Sequence, residues 1–297
     1  MSRNNSMHPR NVFITAPDYT DLAIKYSNFR RVCKLALNGK VIIDLKSEKT
    51  LQALTATLLQ HYFDLKVEFA PNSLIPTLPL RLNYILWIED ILAALDVTNI
   101  HGIDIGCGSS CIYALLAAKK NRWKMSAVEA NATNIQFATE NVKSNNLEQL
   151  IQIFPQVEKN VILSDFLTAK PDEVFDFCLC NPPFFDSNER NTKLDRNPDK
   201  RKEPKNCQTG KPDELYCEGG EVAFVKRIVE ESQKFSNQVR VFSTMLGHKS
   251  SVPIISEFLK SYNILNFITT EFCQGNTTRW GVAWSLEANN DLSKVKS

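Results

Sequence analysis

The chain has only four histidines among 297 residues, and its eight cysteines are scattered. Those are Cys33, Cys107, Cys111, Cys178, Cys180, Cys207, Cys217 and Cys273. Only Cys107/Cys111 and Cys178/Cys180 lie close together, and neither pair has further His or Cys at ligand spacing. No zinc pattern is present, and no metal is expected. No apolar run reaches the roughly 18 residues of a membrane span, and MSRNNSMHPRN at the start lacks an apolar signal core. The expectation is therefore neither membrane insertion nor export, with the cysteines as reduced thiols. A GxxxxGK[ST] phosphate cradle is missing, and GCGSSC breaks the GxGxxG pattern because Cys111 stands at its last position. That argues against a nucleoside triphosphate and, less strongly, against a dinucleotide. No internal repeat of 20 to 50 residues is visible.

What is present begins with a 43% apolar composition, enough for one large domain or two smaller ones. The net charge of +2 is unevenly spread. Residues 1–50 hold nine Lys/Arg against four Asp/Glu, and residues 190–211 hold eight against three, so each segment is +5 and the remainder −8. Two basic segments on an acidic chain suit a polyanionic partner, although a solvated tail and loop would read the same way.

Residues 1–20 show no periodicity. From Asp21 to Leu65, LAIKY, FRRVCKLAL and LQALTATLLQHYF have helical spacing, interrupted by NGK and an extended VIIDL. PNSLIPTLPLRLNY, with Pro71, Pro76 and Pro79, reads as an extended linker before the helix YILWIEDILAAL. From Ile100 the chain alternates. IHGIDI, KMSAVE, LIQIF, VILSD, FDFCLC and QVRVFSTM read as strands; CIYALLAAKK, TNIQFATENVKSNN, VAFVKRIVEESQKF and VPIISEFLKSY read as helices. Such a series predicts an α/β fold with a parallel sheet covered on both faces. NFITTEFC and WGVAWSL have only QGNTTR between them, which permits an antiparallel hairpin and no crossover helix.

DIGCG, Asp104 to Gly108, joins the first strand of that series to its helix, where glycines let the backbone approach a ligand. A plain turn would look the same. Glu129 follows 25 residues after Asp104, at the end of the next strand, where an acid accepts both hydroxyls of a ribose. Asp165 is expected at the end of a third strand on the same rim. A nucleoside cofactor without a pyrophosphate is what remains, and S-adenosylmethionine fits it. Arg81 is a candidate counter-charge for its carboxylate, against the ordinary reading of a surface arginine.

The stretch CLCNPPFF, Cys178 to Phe185, ends a buried strand in two prolines and two aromatic rings. The prolines stiffen the chain just after Asn181. The Asn181 side-chain oxygen and the Pro182 carbonyl can then accept the two hydrogens of an adenine exocyclic amine, favouring the tetrahedral nitrogen that attacks a methyl group. Phe184 offers a stacking face for the base. No metal or strong base is required, since positioning supplies the rate.

On LIPTLPLRLNY, GIDIGCGSSCIY, DFCLCNPPFF, EGGEVAFVKRI and TEFCQGNTTRWGVAWS, the chain resembles class I methyltransferases, and among them the methyltransferase-like protein 16 family, along nearly its whole length. The resemblance implies a Rossmann-like, seven-stranded, mostly parallel sheet with an antiparallel last strand, and a basic N-terminal helical module. It implies S-adenosylmethionine as cofactor and transfer to N6 of adenosine in structured RNA, with U6 small nuclear RNA and messenger RNA hairpins as family substrates. Carried over by residue, it puts cofactor contacts on Arg81, Gly106, Ser110, Glu129, Val161 and Asn181, and the catalytic loop on Asn181, Pro182, Pro183 and Phe184. Three positions depart from the relatives: Cys107 and Val161 where threonine is usual, so that Val161 offers only its backbone, and Asn160 where a lysine with an autoinhibitory role is expected. Larger animal members carry a C-terminal RNA-binding region, whose functions are not carried over. A monomer, in nucleus and cytoplasm, is the corresponding expectation. The alternatives are an enzyme of the same loop type acting on DNA adenine or on protein glutamine, and a non-catalytic RNA-binding scaffold.

The organisation expected is a basic N-terminal module over 1–80, a methyltransferase domain over 81–288 and a tail over 289–297, with 186–217 a flexible basic loop beside the active site. Its segment 190–211 has almost nothing apolar to bury and is expected to order only on RNA. Arg196, Lys200, Arg201, Lys202 and Lys205, with Arg10, Arg30 and Arg31, are the expected phosphate contacts.

Overall fold

The computed structural model describes residues 7–158, 161–188, 209–287 and 289–295. Asn160 and the loop cations Arg196, Lys200, Arg201, Lys202 and Lys205, with most of segment 190–211, lie outside those residues.

The N-terminal part holds α1 (Tyr19–Lys25), α2 (Ser27–Arg30), a hairpin of β1 (Lys34–Leu35) with β2 (Val41–Ile42), and α3 (Glu48–Phe63). Asp18 caps α1 by accepting from the Thr20 and Asp21 amides at 2.9 and 3.1 Å. The helical spacing of FRRVCKLAL is overridden here. The chain leaves the helix after Arg30 and turns back at Gly39, whose φ is +79°. Arg30 and Arg31 are exposed beside this hairpin. Next, α4 runs from Leu78 to Ala94, so LPLRLNY is helical and not part of an extended linker. Pro79 is tolerated because the first turn of a helix needs no internal N–H. Arg81 is thereby carried on a helix, and this helix is buried along most of its length.

The alternating part contributes β3 (His101–Ile105), α5 (Ile112–Asn121), β4 (Lys124–Glu129), α6 (Ala132–Ser144), β5 (Ile151–Pro155), α7 (Ser164–Thr168), β6 (Phe175–Cys180), β7 (Phe185–Asp186), α8 (Pro212–Leu215), β8 (Tyr216–Cys217), α9 (Gly220–Ser232), β9 (Val239–Leu246), α10 (Ser251–Ser261), β10 (Phe267–Gln274) and β11 (Thr277–Trp284). The strand expected over VILSD does not form. Among the described residues only Ile151–Pro155 pairs beyond β4, and Asp165 lies in the first turn of α7, where its carboxylate accepts from the Glu158 amide at 2.9 Å. Val161 accordingly sits in the connection after β5, not at the start of a strand.

The seven strands order as β10-β11-β9-β6-β3-β4-β5, and β11 alone runs against its neighbours. Period-two alternation divides the core: Phe177 and Leu179 join α4, α5 and the N-terminal helices on one face, while Cys178 and Cys180 join α7, α9 and α10 on the other. The chain winds outward from β3 to β5 and then returns to place β6 on the other side of β3. That switch point opens a crevice beyond the carboxyl ends of the strands.

The two ends of segment 186–217 are built into the fold. β7 and β8 pair in parallel, and Glu214 of α8 accepts from the Leu74 and Lys211 amides at 2.8 Å each. Residues 289–295 also pack: Leu292 is buried, and its amide donates to the Asn266 side chain at 3.1 Å.

Candidate active site

At the crevice lies a cavity of about 450 Å³ whose wall includes Arg81, Gly106, Ser110, Glu129, Val161 and Asn181. All six cofactor positions expected from the sequence meet there, although they come from a helix, three strand ends and two loops. Pro182 and Pro183 line it as well. Phe184 is not part of the lining.

Glu129 is held in place by backbone. Its Oε2 accepts from the Gly108 amide at 2.8 Å, and Oε1 accepts from the Ala130 and Asn131 amides at 2.9 Å each. Burial pushes its carboxyl above the ordinary value, and these N–H donors pull the other way. Gly106 and Gly108 have φ of +66° and +64°, and a Cβ at either would meet nothing within 4 Å. The glycines thus serve the turn itself, and the turn leaves room against its backbone. Behind it, burial raises the Asp104 carboxyl to about 7; one oxygen accepts weakly from the Ala114 amide at 3.3 Å and the other has no partner.

Four further wall residues, Tyr113, Asn134, Gln156 and Arg227, each bury a polar side-chain atom with no hydrogen-bond partner among the described residues. Orphaned polar atoms around a cavity, beside an open glycine turn and a pinned acid, fit a polar nucleoside ligand. S-adenosylmethionine is such a ligand.

At the other end of the cavity, Arg81 Nη1 donates to Asn181 Oδ1 at 3.1 Å and contacts Met245 Sδ at 3.4 Å, with the guanidinium over the Tyr113 ring at 5.5 Å. The surface-arginine reading of Arg81 is excluded, because the residue is buried. Its donation fixes which way the Asn181 amide points and leaves the oxygen a second lone pair. Phe184 lies beyond, with the Arg279 guanidinium 5.1 Å from its ring centre. Burial and then the Arg81 cation lower the Arg279 pKa. Two cations therefore converge on the Asn181–Phe184 loop, and among the described residues neither is ion-paired.

The expected phosphate contact Arg10 is committed elsewhere. It donates to Glu89 at 2.7 Å, to Asp90, and to the Leu86 carbonyl at 3.2 Å, fastening the N-terminal arm to α4. Asp213, Glu214, Phe224, Arg227 and Arg279 escaped sequence reasoning. Their positions depend on long-range packing, which no local pattern reveals.

Comparison with known proteins agrees with this geometry. Residues 1–288 match a family model described as RNA methyltransferase. The U6 small nuclear RNA (adenine-(43)-N(6))-methyltransferase of Drosophila pseudoobscura pseudoobscura is 56% identical over 283 residues, covering 94% of this chain and 93% of that protein. Among solved structures, the human METTL16 catalytic domain in complex with MAT2A 3'UTR hairpin 1 aligns with a TM-score of 0.88 at 41% identity, over 95% of this chain and 96% of that one. The human METTL16 N-terminal domain in complex with SAH aligns at 0.80 and 38% identity, over 95% and 99%. With sheet order, site and relatives in agreement, the chain belongs to the methyltransferase-like protein 16 family of RNA methyltransferases.

Proposed function

We propose that this protein transfers a methyl group from S-adenosylmethionine to N6 of an adenosine in structured RNA, with U6 small nuclear RNA the first substrate to try and messenger RNA hairpins the second. The observation that carries the reading is the convergence of Arg81, Glu129 and Asn181 on one cavity at the sheet's switch point. The U6 reading is supported by the name of the 56% identical fly relative, and the hairpin reading by the human domain solved with one.

S-adenosylmethionine, when bound, supplies an electrophilic methyl group on a cationic sulfur. Glu129 would accept the ribose hydroxyls, its geometry already set by three amides. Arg81 is the cation proposed for a ligand carboxylate, with Arg227 also in the cavity wall. The second lone pair of Asn181 Oδ1 and the Pro182 carbonyl accept the hydrogens of the adenine amine, which restores lone-pair density on a nitrogen otherwise conjugated with the ring. The amine becomes acidic only as it gains the methyl, so these two acceptors are sufficient until water removes the proton. Phe184 stacks the base, and the two prolines hold the acceptors still.

Methyl transfer to total small RNA, followed by nucleoside analysis and mapping of the modified position, tests the proposal. N6-methyladenosine at a single RNA site is the expected product. Methylation confined to DNA adenine or to protein glutamine would overturn it.

A further inference from the structure

The motif EGGEVAF, Glu218 to Phe224, opens α9 with two glycines and an acid, Glu221, that has no place in the cavity wall. Glu221 is 2% exposed. Its oxygens accept from the Gly247 amide at 2.6 Å, the His248 amide at 3.1 Å, the Ser251 hydroxyl at 2.6 Å and His248 Nδ1 at 3.2 Å. A buried carboxylate is an expensive way to tie down a helix start, which an exposed Ser or Asp achieves at little desolvation cost.

Phe184 lies against the same place. A Cβ built on Gly247 would stand 2.8 Å from Phe184 Cγ and 3.1 Å from Glu221 Oε2, so the ring rests directly on backbone that the acid holds. The first turn of α9 also touches the chain just after the ring. Gly219 N donates to Asp186 Oδ1 at 3.1 Å, and a Cβ on Gly220 would lie 3.3 Å from the Asp186 nitrogen and 3.6 Å from the Phe184 carbonyl. The Arg279 guanidinium stands over the ring, and the Glu221 carboxylate favours its charged form. Gly247 and Arg279 thus bound the phenyl ring, and the backbone around Gly220 bounds the chain that carries it.

We propose that Glu221 is a positioning residue for the target adenine: by holding Gly247 it sets the plane on which Phe184 presents a stacking face. The inference rests on the stacking role given to Phe184 above. Its signature is dependence on that ring, which a general structural role would not show.

The experiment is a double-mutant cycle on single-turnover methylation of a U6 small nuclear RNA fragment at saturating RNA, with the fluorescence of 2-aminopurine at the target position as a separate report of stacking. Glu221→Gln keeps the volume but loses acceptor capacity, and should slow the reaction by roughly 10- to 100-fold, the scale of an ångström-level misplacement. S-adenosylmethionine affinity should stay within about twofold, because the cavity wall is untouched. In a Phe184→Ala background the same change should matter less than about threefold, since its target is already gone. Gly247→Ala, which pushes on the ring from the other end, should reproduce the loss of rate and of stacking signal even where Glu221→Gln folds poorly. Equal losses in the parental and Phe184→Ala backgrounds, or parental rates in both Glu221→Gln and Gly247→Ala, would overturn the role of Glu221 alone. A Phe184→Ala variant with unchanged rate and stacking signal would overturn the stacking reading itself, and the proposal with it.

Discussion

The two ends of the cavity are held by different means. At the end proposed for the cofactor, Glu129, Gly106 and Gly108 sit at the tips of neighbouring strands and are fixed by amides within a few residues or one strand away. At the end proposed for the base, Asn181 is oriented by Arg81 from a helix 100 residues earlier, and Phe184 rests on Gly247 and under Arg279, both contributed much later in the chain. The first end is a property of the βαβ unit; the second exists only once the whole sheet has assembled. Local damage at the cofactor end should therefore stay local, and damage at the base end should propagate through its distant supports.

Glu129→Ala is expected to have the largest effect. Losing two hydrogen bonds to a charged acceptor, each about 1.5 to 3 kcal/mol, should weaken S-adenosylmethionine binding by on the order of 10² or more, with RNA affinity unchanged. Unaltered calorimetric affinity would remove this residue from the cofactor end. A second test uses pH. The Asp104 carboxyl rises to about 7 in the fold from an ordinary value of 3.8, so the folded state binds more protons than the unfolded one between those values. Its contribution is fully favourable below pH 4 and is lost as pH climbs through 7, amounting to at most about 4 kcal/mol. Denaturant melts of the ligand-free protein should show Asp104→Asn gaining on the parent as pH rises from 4 to 8. Parallel pH profiles for the two would mean that Asp104 is not held neutral.

Asn181→Ala should cut the single-turnover rate by roughly 10² to 10³, the scale of one aligned acceptor, and leave RNA affinity nearly intact. Weaker RNA binding with a parental rate at saturation would make Asn181 a binding residue and blur the distinction between the two ends. The smallest effect belongs to Arg10→Ala. Its half-exposed pairs with Glu89 and Asp90 are worth roughly 1 kcal/mol or less together, readable as a small shift in melting temperature. A far larger loss of RNA affinity than of stability would show that the guanidinium exchanges its carboxylates for phosphate.

This division also explains what could be read from the sequence. DIGCG and Glu129 were legible because strand, glycine turn and second-strand acid recur at fixed spacing, and CLCNPPFF because two prolines cannot continue a central strand. The hairpin QGNTTR was legible from its length alone. Where reading failed, tertiary contacts outweighed local pattern. VILSD has the composition of a strand, yet Glu231 of α9 accepts from the Ile162, Leu163 and Ser164 amides at 2.7 Å each and takes the donors that a ladder would need. LPLRLNY looked too proline-rich for a helix, but its second residue is the one place where Pro79 loses nothing. Glu221 and Arg279 stand in quoted motifs and Gly247 in none, but nothing local assigns any of them a role, because each matters only for what it meets across the sheet.

The Arg81–Asn181 hydrogen bond joins the two ends, since a single guanidinium faces the cavity while it steers the amide proposed to receive the base. A ligand carboxylate that attracts this guanidinium changes how firmly the amide is held. Thermodynamic linkage then requires that a base engaging the amide alters affinity for that ligand by the same factor. On the roles proposed above, cofactor and RNA affinities are expected to be one coupled quantity wherever Arg81 is shared, and Arg81→Lys, with one compact ammonium in place of a forked donor, is expected to separate them.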